Sequence, residues 1–481
     1  MENNFKNKKV LILGLGINQG GLGATKFFAK AGAKVKVTDL KSKEELQFSI
    51  DQLKNFPEIE YVLGEHRFED LDWADLIIRN PALKPDNPYI KYAREKGKQV
   101  EMDMGIFLQF VKPKQIIGVT GTKGKSTTAS MIYEILREIY TEQSRSAQDD
   151  KKVIFAGNIG KSVLDTIPFV KPDSLIILEL SSFQLSAFEE HKFSPKYAVI
   201  TNIYPDHINY HGSMESYIEA KKSIAKYQTK EDSLFLKKGD EITNNPKFLQ
   251  DLKGQIIYFS KSDLPEKFSP KLPGEHNLEN FAAALAVTSK ILGTKGVAFC
   301  AYEILENFTG VEFRLQLIYD KNGIKIYNDS AATNPEATIQ ALRALPNSIL
   351  IVGGVNKNLP YNELTKAIEK YPKAVYFLEG SATDEILKYL SSVIPAKVLR
   401  SRGTGIQNKK KWIPHQVRDD KKINIYNDLE KILKDIKKIV KSEDTILFSP
   451  GAASFNLFQN EFDRGRKFNT AVEKIFGIIL T

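Results

Sequence analysis

The amino-acid sequence predicts an α/β protein of three domains with doubly wound, parallel sheets. The chain has 481 residues, and at roughly 100–200 residues per domain this length corresponds to two to four domains. Short apolar segments alternate with segments of helical periodicity, which is typical of parallel βαβ units. A glycine-rich segment between a strand and a helix has the placement of a phosphate loop. The content of 42% hydrophobic and 27% charged residues is that of a folded globular protein.

The first block covers residues 1–111. Its predicted elements are the strands 9–13, 33–38 and 75–79 and the helix 24–31. The glycine pattern from Gly14 to Gly20 is one residue longer than the dinucleotide-binding fingerprint, but it follows a strand and opens a helix. It can therefore hold a phosphate, and a plain tight turn is the alternative. Asp39 ends the second strand, where a carboxylate can bind a ribose or a base.

The second block, residues 112–311, and the third, residues 312–481, continue the alternation. Apolar residues at helical spacing predict a helix after the glycine-rich segment, namely Met131, Ile132, Ile135, Leu136 and Ile139. The other predicted elements are the strands 115–120, 174–179, 197–202, 324–329, 348–352, 374–378 and 444–449 and the helix 278–291.

Two polar segments interrupt this alternation, at residues 144–152 and 401–422. Both begin with Ser-Arg and end with Asp-Asp-Lys-Lys. They resemble translated palindromic repeat elements of bacterial genes, so we expect two insertions of related origin that lie on the surface and are dispensable. Two unrelated solvated loops are the alternative.

The charge of the chain is basic, with 69 Lys and Arg against 59 Asp and Glu and a formal net charge of +10. A basic surplus is compatible with nucleic acid, a membrane surface or small anionic ligands. Since residues 401–422 carry half of the surplus, we interpret the chain as an enzyme with small anionic ligands. We expect neither a nucleic-acid partner nor insertion into a membrane. The single cysteine, Cys300, excludes an intramolecular disulfide and fits a reducing cytoplasm.

Residues 117–127 (IGVTGTKGKST) have the composition of a phosphate loop between a strand and a helix. Glycines allow backbone N–H groups to turn toward phosphate oxygens, and the helix N-terminus favours negative charge. Lys125 is the candidate for the terminal phosphates and Ser126 for Mg²⁺. The standard Gly-x₄-Gly-Lys spacing is broken by Val119, while the core from Gly121 to Ser126 is intact.

The Thr-Gly-Thr-x-Gly-Lys-Ser segment that ends at Ser126 and residues 178–185 (LELSSFQL) resemble the Mur ligases, which build the peptide stem of the bacterial cell wall. The resemblance covers nearly the whole chain. It implies a Rossmann-like UDP-binding domain, a central ATP-binding domain and a Rossmann-like C-terminal domain that brings the amino acid.

The activity implied by this resemblance is the ATP-dependent addition of D-glutamate to UDP-N-acetylmuramoyl-L-alanine. The ligase would work through an acyl phosphate and a tetrahedral intermediate, with Mg²⁺ at two sites. The resemblance also implies a cytoplasmic monomer in peptidoglycan precursor synthesis, on which cell shape and division depend. Negative charge accumulates at each step, so the reaction needs cations around the transferred group.

The resemblance implies a catalytic group of Lys125, His207 and Lys221. Ser126, Glu179, His207 and a carbamylated Lys221 would be the metal ligands, and Lys222 is the adjacent competitor for the carbamylated position. A carbamate converts a cation into an anion that can approach a metal.

The implied ATP-binding residues form a set that begins with the phosphate loop: Gly121, Thr122, Lys123, Gly124, Lys125, Ser126, Thr127, Asn277 and Asn280 near the adenine, Arg314 at the phosphates and Asp329 at the ribose. The implied substrate-binding residues are Asn18, Asp39 and Asn80, on loops that match the family loosely, Asn158 for the UDP-muramoyl group, and Thr333, Lys357, Ser454 and Phe455 for glutamate.

Three residues depart from the family pattern: Phe313 stands where His is common, Ala331 where Lys is common and Lys123 where Asn is frequent. Sibling ligases that add L-alanine, a diamino acid or glutamate to a folate are the nearest alternatives. A nucleotide-binding protein without catalysis, or a basic NTPase, is the alternative of another class. Retention of Lys125 and Glu179, together with the other catalytic residues, argues against it.

Overall fold

The computed structural model describes residues 5–16, 19–84, 86–143, 153–158, 162–293, 297–393, 425–454 and 457–480. Within these residues three sheets follow one another along the chain. Contacts divide the chain into two compact units, one of residues 1–266 and 278–304 and the other of residues 267–277 and 305–481. The first unit contains two of the sheets and the second unit contains the third. Among the described residues, no helix is long and apolar enough to cross a membrane.

The first sheet has five parallel strands in the order β3-β2-β1-β4-β5. Its strands are β1 (Lys9–Leu13), β2 (Lys34–Asp39), β3 (Glu60–Leu63), β4 (Leu76–Arg79) and β5 (Gln99–Glu101). The helices are α1 (Gln19–Lys30), α2 (Lys43–Asp51), α3 (Phe68–Trp73), α4 (Pro88–Glu95) and α5 (Asp103–Leu108). The strand order reverses between β1 and β4, and in such sheets ligands bind in the crevice at this point.

The second sheet has six parallel strands in the order β11-β10-β9-β6-β8-β7. The strands are β6 (Ile116–Thr120), β7 (Val153–Gly157), β8 (Leu175–Glu179), β9 (Tyr197–Ile200), β10 (Ser233–Lys237) and β11 (Gln255–Phe259). The helices are α6 (Lys125–Gln143), α7 (Leu185–Glu190), α8 (Ile208–His211), α9 (Met214–Lys222), α10 (Pro246–Leu249), α11 (Glu275–Leu292) and α12 (Val297–Asn307). β6, which leads into the glycine-rich loop, is central and buried along its whole length.

The third sheet has the order β12-β13-β17-β14-β15-β16, and β12 is antiparallel to β13. Its strands are β12 (Gln316–Lys321), β13 (Ile324–Asn328), β14 (Ile349–Gly353), β15 (Ala374–Leu378), β16 (Ile425–Tyr426) and β17 (Thr445–Phe448). The helices are α13 (Pro335–Ala344), α14 (Asn362–Lys370), α15 (Ser381–Val393), α16 (Leu429–Lys437) and α17 (Glu461–Phe476).

The central strands are continuous apolar runs because helices cover both faces of a parallel sheet. β14 shows this most clearly, since every residue from Ile349 to Val352 is fully buried. Polar residues in the loops after the strands begin several helices: Asn334 caps α13 by accepting a hydrogen bond from the Ala337 N–H, at 3.0 Å. This arrangement leaves the loops after the strands free to carry functional side chains.

The predicted α/β class and the three successive sheets are confirmed, whereas the prediction of parallel strands throughout is wrong for β12, which pairs antiparallel with β13. The strands β1 and β15 have the predicted bounds, and the helix predicted at 278–291 spans Glu275–Leu292. Each sheet lies inside one of the three predicted domain ranges, whose boundaries stay a prediction. The proposed insertions, 144–152 and 401–422, lie outside the described residues.

Candidate active site

The loop between β6 and α6 has the backbone shape of a phosphate loop. Gly121 and Gly124 have φ angles of +145° and +83°, which residues with a Cβ rarely adopt. A Cβ at Gly121 would lie 2.0 Å from Thr201 Oγ1, and one at Gly124 would lie 2.2 Å from Asn280 Oδ1. Both glycines are therefore required by conformation and by space, as the sequence motif predicts.

Two lysine side chains meet at this loop. Lys125 Nζ donates to the Gly121 carbonyl at 3.0 Å, and Lys221 Nζ, from α9, donates to the same oxygen at 2.7 Å. Lys221 is 1% exposed. Burial, followed by the charge of Lys125, lowers the pKa of Lys221 to about 6. The Lys221 amine is therefore largely neutral at pH 7, and Lys125 is the lysine that offers positive charge to an anionic ligand at this loop.

Glu179 supplies an anionic group at the same edge of the sheet. It ends β8, pairs in register with Val119 of β6 and is 1% exposed. Its Oε1 accepts from Asn158 Nδ2 at 3.3 Å, whereas its Oε2 has no hydrogen-bond partner within the described residues. A buried carboxylate oxygen without a partner is costly unless a ligand satisfies it.

This chemistry fits Mg²⁺, which takes oxygen ligands and uses few carboxylates when phosphates supply the rest. Ser126 lies in the first turn of α6 and is 6% exposed. No group of three or more His, Cys, Asp or Glu side chains in the described ranges could hold a metal by itself. Any Mg²⁺ at this edge would therefore need oxygens from a nucleotide, from water or from a modified lysine.

His207 lies at the start of α8 in a left-handed conformation, with φ of 53°. Its ring is 5.0 Å from the Phe183 ring and 6.4 Å from the Tyr217 ring, centroid to centroid. The side chain is 48% exposed. Burial is the largest cause that lowers the pKa of His207, which favours the neutral ring that a metal requires.

Side chains of the loop after β9 fix the remainder of the phosphate loop. Thr201 Oγ1 donates to the Lys123 carbonyl at 2.6 Å, and Asn202 Oδ1 accepts from the Lys123 N–H at 2.9 Å. Thr122 Oγ1 lies 3.1 Å from the Tyr217 hydroxyl. The Lys123 side chain is exposed and its Nζ lies 3.6 Å from Asp206. Thr127, half-buried, follows in α6.

The two asparagines of α11 have different surroundings. Asn280 is 5% exposed and its Oδ1 accepts from Thr128 Oγ1 at 3.3 Å, directly beside the phosphate loop. Asn277 is 4% exposed and its Nδ2 donates to the Pro273 carbonyl at 2.7 Å. By contacts Asn277 belongs to the second unit and Asn280 to the first.

The predicted UDP-site residues lie along the carboxyl edge of the first sheet. Asp39 accepts from the Gly16 N–H and from the Lys41 N–H, both at 2.9 Å, so its carboxylate shapes the glycine-rich turn. Asn80 lines a crevice beneath that turn. Asn18 lies outside the described residues.

Within the second unit, Asp329 is 8% exposed and accepts from Ser449 Oγ at 2.7 Å and from the Leu315 N–H at 2.9 Å. Burial raises the pKa of Asp329 to about 7, against the lowering effects of Ser449 and Leu315. Arg314, which directly precedes Leu315 in the chain, is exposed. Asp329 therefore holds the backbone at the start of β12 in place.

The predicted glutamate site is described in part. Ser454 is 2% exposed, and its Oγ has no hydrogen-bond partner in the part of the chain that the structure describes. Thr333 is half-buried, and Lys357 is exposed on the loop after β14. Phe455 lies outside the described residues.

Two of the residues that depart from the family pattern, Phe313 and Ala331, lie within two positions of Leu315 and Asp329 in the chain. Phe313 has a positive φ of 61°, and its ring lies 6.2 Å from that of Phe462. The Ala331 N–H donates to the Phe313 carbonyl at 2.9 Å. Nothing in the structure explains why Ala stands at position 331.

Three polar residues near these sites were missed by sequence reasoning: Arg79, Asp103 and Ser449. Arg79 and Ser449 are each the last residue of a predicted strand, 75–79 and 444–449. Their importance depends on partners far away in sequence, such as Ser186 for Arg79, so no local signal could have found them.

Three family models match the chain: the Mur ligase MurD-like N-terminal domain at residues 8–101, the Mur ligase middle domain at residues 119–269 and the Mur ligase glutamate ligase domain at residues 313–451. Together they follow the order of the three sheets.

Several relatives named UDP-N-acetylmuramoylalanine–D-glutamate ligase are similar over their whole length. The relative from Roseiflexus sp. (strain RS-1) is 34% identical, over 97% of this chain and 98% of its own. Those from Borreliella afzelii (strain PKo) and Clostridioides difficile (strain 630) are 34% and 33% identical, over 98% of this chain and 99% and 100% of theirs. The chain belongs to the Mur ligase family, and the assignment made from its motifs is confirmed.

Solved structures share the fold at lower identity. The UDP-N-acetylmuramate-alanine ligase MurC of Thermotoga maritima has a TM-score of 0.57 and 19% identity, covering 97% of this chain and 99% of that one. The MurF ligase of Thermotoga maritima, solved in complex with ADP, has a TM-score of 0.51 and 18% identity, covering 98% and 97%. These two likenesses support the predicted three-domain α/β fold.

Proposed function

We propose that the protein joins D-glutamate to the L-alanine carboxylate of UDP-N-acetylmuramoyl-L-alanine, with cleavage of ATP to ADP and phosphate, in the synthesis of peptidoglycan precursors. The names of the full-length relatives support this substrate pair. The observation that carries the chemistry is the convergence of Lys125 and Lys221 on the Gly121 carbonyl beside the unsatisfied Glu179 carboxylate. A cationic Lys125 and a buried carboxylate at the two sides of a glycine loop are suited to binding a nucleotide phosphate with its metal ion for phosphoryl transfer.

The reaction begins when the substrate carboxylate takes the γ-phosphoryl group of ATP, which forms an acyl phosphate and releases ADP. The amine of D-glutamate then attacks the acyl carbon, and phosphate leaves from the tetrahedral intermediate as the amide forms and a proton is lost. Lys125 and the backbone N–H groups after Gly121 bind the phosphates and stabilise the negative charge of both intermediates. Bound Mg²⁺ would supply further positive charge at the transferred phosphoryl group.

Ser126 and Glu179 would hold one Mg²⁺, with His207 and Lys221 at a second site. For Lys221 we propose carbamylation, in which the neutral amine adds carbon dioxide and loses a proton to become a carbamate. Its burial and the neighbouring Lys125 support this role, since both keep the amine neutral and nucleophilic. A carbamate would replace the hydrogen bond to the Gly121 carbonyl with contacts to cations.

The remaining assignments are proposals of the same kind. The domains would be residues 1–111 for the UDP-sugar, 112–311 for ATP and 312–481 for the amino acid, in a cytoplasmic monomer. The orphaned hydroxyl of Ser454 and the ammonium of Lys357 are suited to a dicarboxylic amino acid. Asn158, already hydrogen-bonded to Glu179, would place the nucleotide-sugar next to the metal site.

The test is the release of ADP from ATP with UDP-N-acetylmuramoyl-L-alanine and D-glutamate present together. We expect ADP release over many turnovers only when both substrates and Mg²⁺ are present, and a loss on the order of 10²-fold or more for Lys125→Ala. Lys226→Ala is the control, because this exposed lysine pairs with Glu189 at 2.6 Å and has no proposed role in the site. Wild-type protein that releases no ADP under these conditions would refute the proposal.

A further inference from the structure

The backbone of Gly451 joins the loops that follow three strands of the third sheet. Its N–H donates to the carbonyl of Ala332, in the loop after β13, at 2.9 Å. Its carbonyl accepts from the hydroxyl of Tyr361, at the end of the loop after β14, at 3.2 Å. Gly451 itself lies in the loop after β17 and has a φ of +65°. A Cβ there would lie 2.9 Å from Thr338 Oγ1, so α13 also holds this backbone closely.

Each of the three joined loops carries one residue of the proposed amino-acid site. These residues are Thr333, Lys357 and Ser454, which lie one, four and three positions along the chain from the three bonded residues. Their hydroxyls and ammonium are suited to the carboxylates of a dicarboxylic amino acid. The distances between these groups therefore depend on how the loops are joined at Gly451.

The loop after β14 is tied to the loop after β17 at both of its ends. At its start, the Gly353 N–H donates to the Pro450 carbonyl, and Val355 and Ala453 exchange two backbone hydrogen bonds, all three at 2.9 Å. At its end, the connection is the hydrogen bond from the side chain of Tyr361. Removing that hydroxyl would release one end of the loop and leave the other end held.

Tyr361 is built into the domain as a fixed donor. It is 1% exposed and belongs to the buried apolar cluster on one face of the third sheet. Its own carbonyl accepts from the N–H and from the Oγ1 of Thr365, both at 2.9 Å, which anchors its backbone to the first turn of α14. Burial raises the pKa of Tyr361 to about 12, so the hydroxyl keeps its proton at every pH at which the enzyme would be assayed.

We propose that Tyr361 is a positioning residue that sets the distance between Lys357 and Ser454, and with it the length of the dicarboxylic amino acid that the site accepts. The inference rests on the proposed function for the reaction and for the identity of the amino acid. Because the hydroxyl is buried and bonded to the Gly451 carbonyl, it acts through the backbone and not by contact with the substrate. Its removal should therefore affect the amino acid and leave the other two substrates unaffected.

The test compares Tyr361→Phe with Tyr426→Phe. Both changes remove one hydroxyl hydrogen bond in the second unit, and the bond of Tyr426 goes to Asp435 Oδ2 at 3.1 Å, away from the three loops. KM and kcat are measured for each of the three substrates, and product formation is compared between D-glutamate and D-aspartate. Tyr361→Phe should raise KM for D-glutamate by about 5- to 20-fold, as for one buried hydrogen bond, and lower the preference over D-aspartate several-fold. KM for ATP and for the nucleotide-sugar, and all constants of Tyr426→Phe, should stay near those of the wild type.

A Tyr361→Phe enzyme with the wild-type KM for D-glutamate overturns the proposal, and so does an equal rise in KM for all three substrates. A higher KM for D-glutamate with an unchanged preference over D-aspartate overturns the role in substrate length. If Tyr361→Phe unfolds at the assay temperature, the variant and the wild type are both assayed in sucrose, which favours the folded state, and the same outcomes decide. Wild-type protein that makes no amide product with D-glutamate would refute the proposed function and this inference with it, whereas an active wild type and an unchanged Tyr361→Phe would refute the role of Tyr361 alone.

Discussion

Replacing Glu179 by Gln separates a functional carboxylate from a structural one. The side chain is 1% exposed and its Oε2 has no partner in the described part of the chain. Leaving a buried polar atom unsatisfied costs about 1–3 kcal/mol, and more when it is charged. Gln removes the charge but keeps an Oε1 acceptor for Asn158 Nδ2. The Nε2 amide that replaces Oε2 is equally without a described partner, so only the extra cost of the charge is removed, and we expect the free energy of unfolding to rise by about 1 kcal/mol.

The same change should abolish the rise in Tm that Mg²⁺ and ATP together give to the wild-type protein. A ligand at 100 times its Kd stabilises a protein by about 2.7 kcal/mol, and domains of 150–250 residues gain about 2–4 °C in Tm per kcal/mol. Glu179→Gln should start from a higher Tm, show little further rise with Mg²⁺ and ATP, and lose on the order of 10²-fold or more in turnover.

The assays are thermal unfolding with and without Mg²⁺ and ATP, and ADP release. The control is Glu134→Gln, which removes an exposed carboxylate that pairs with Arg137 on α6, and which should change neither readout. A Glu179→Gln protein that is less stable than the wild type and keeps its turnover would mean that the carboxylate is structural.

Three further predictions concern the loops after other strands. Gly124→Ala should raise KM for ATP at least 10-fold because its Cβ would lie 2.2 Å from Asn280 Oδ1. The control is Gly97→Ala, at a φ of +69° with open space around it, which should cost only about 1 kcal/mol of stability. Equal KM values for ATP in the two variants would contradict this prediction. Ser454→Ala should raise KM for D-glutamate several-fold without loss of Tm, because the buried hydroxyl has no described partner to lose; an unchanged KM would remove Ser454 from the site. Burial raises the pKa of Asp329 from 3.8 to about 7, so between these values the folded protein holds a proton that the unfolded chain has lost. The free energy of unfolding therefore falls as pH rises through that window, Asp329→Asn should flatten the slope, and an unchanged slope in denaturant titrations would contradict the assignment.

The features that could be predicted from sequence are those with local signals. The phosphate loop was predicted from Gly121 and Gly124, whose positive φ angles and close neighbours leave glycine as the only residue that fits. The buried central strands were predicted because a parallel sheet covered on both faces requires continuous apolar runs, as in Ile349–Gly353.

Features that depend on distant partners could not be predicted. The strand Gln316–Lys321 was missed because its exposed end carries Asp320 and Lys321, and its antiparallel pairing with β13 follows from a turn at Asn322 and Gly323. The charge state of Asp329 depends first on its burial, which raises the pKa, and then on a hydrogen bond from Ser449, 120 residues away, which lowers it. The burial of Arg79 likewise depends on Ser186, 107 residues away.

The most direct test of the central claim is the product formed from UDP-N-acetylmuramoyl-L-alanine and ATP with a panel of amino acids: D-glutamate, L-glutamate, L-alanine and a diamino acid. Mass spectrometry of the nucleotide-sugar should show the addition of one glutamate residue with D-glutamate, with one ADP released per product. A product with another member of the panel and none with D-glutamate would assign the chain to a sibling ligase. ATP binding without any product would contradict the proposed function as a whole.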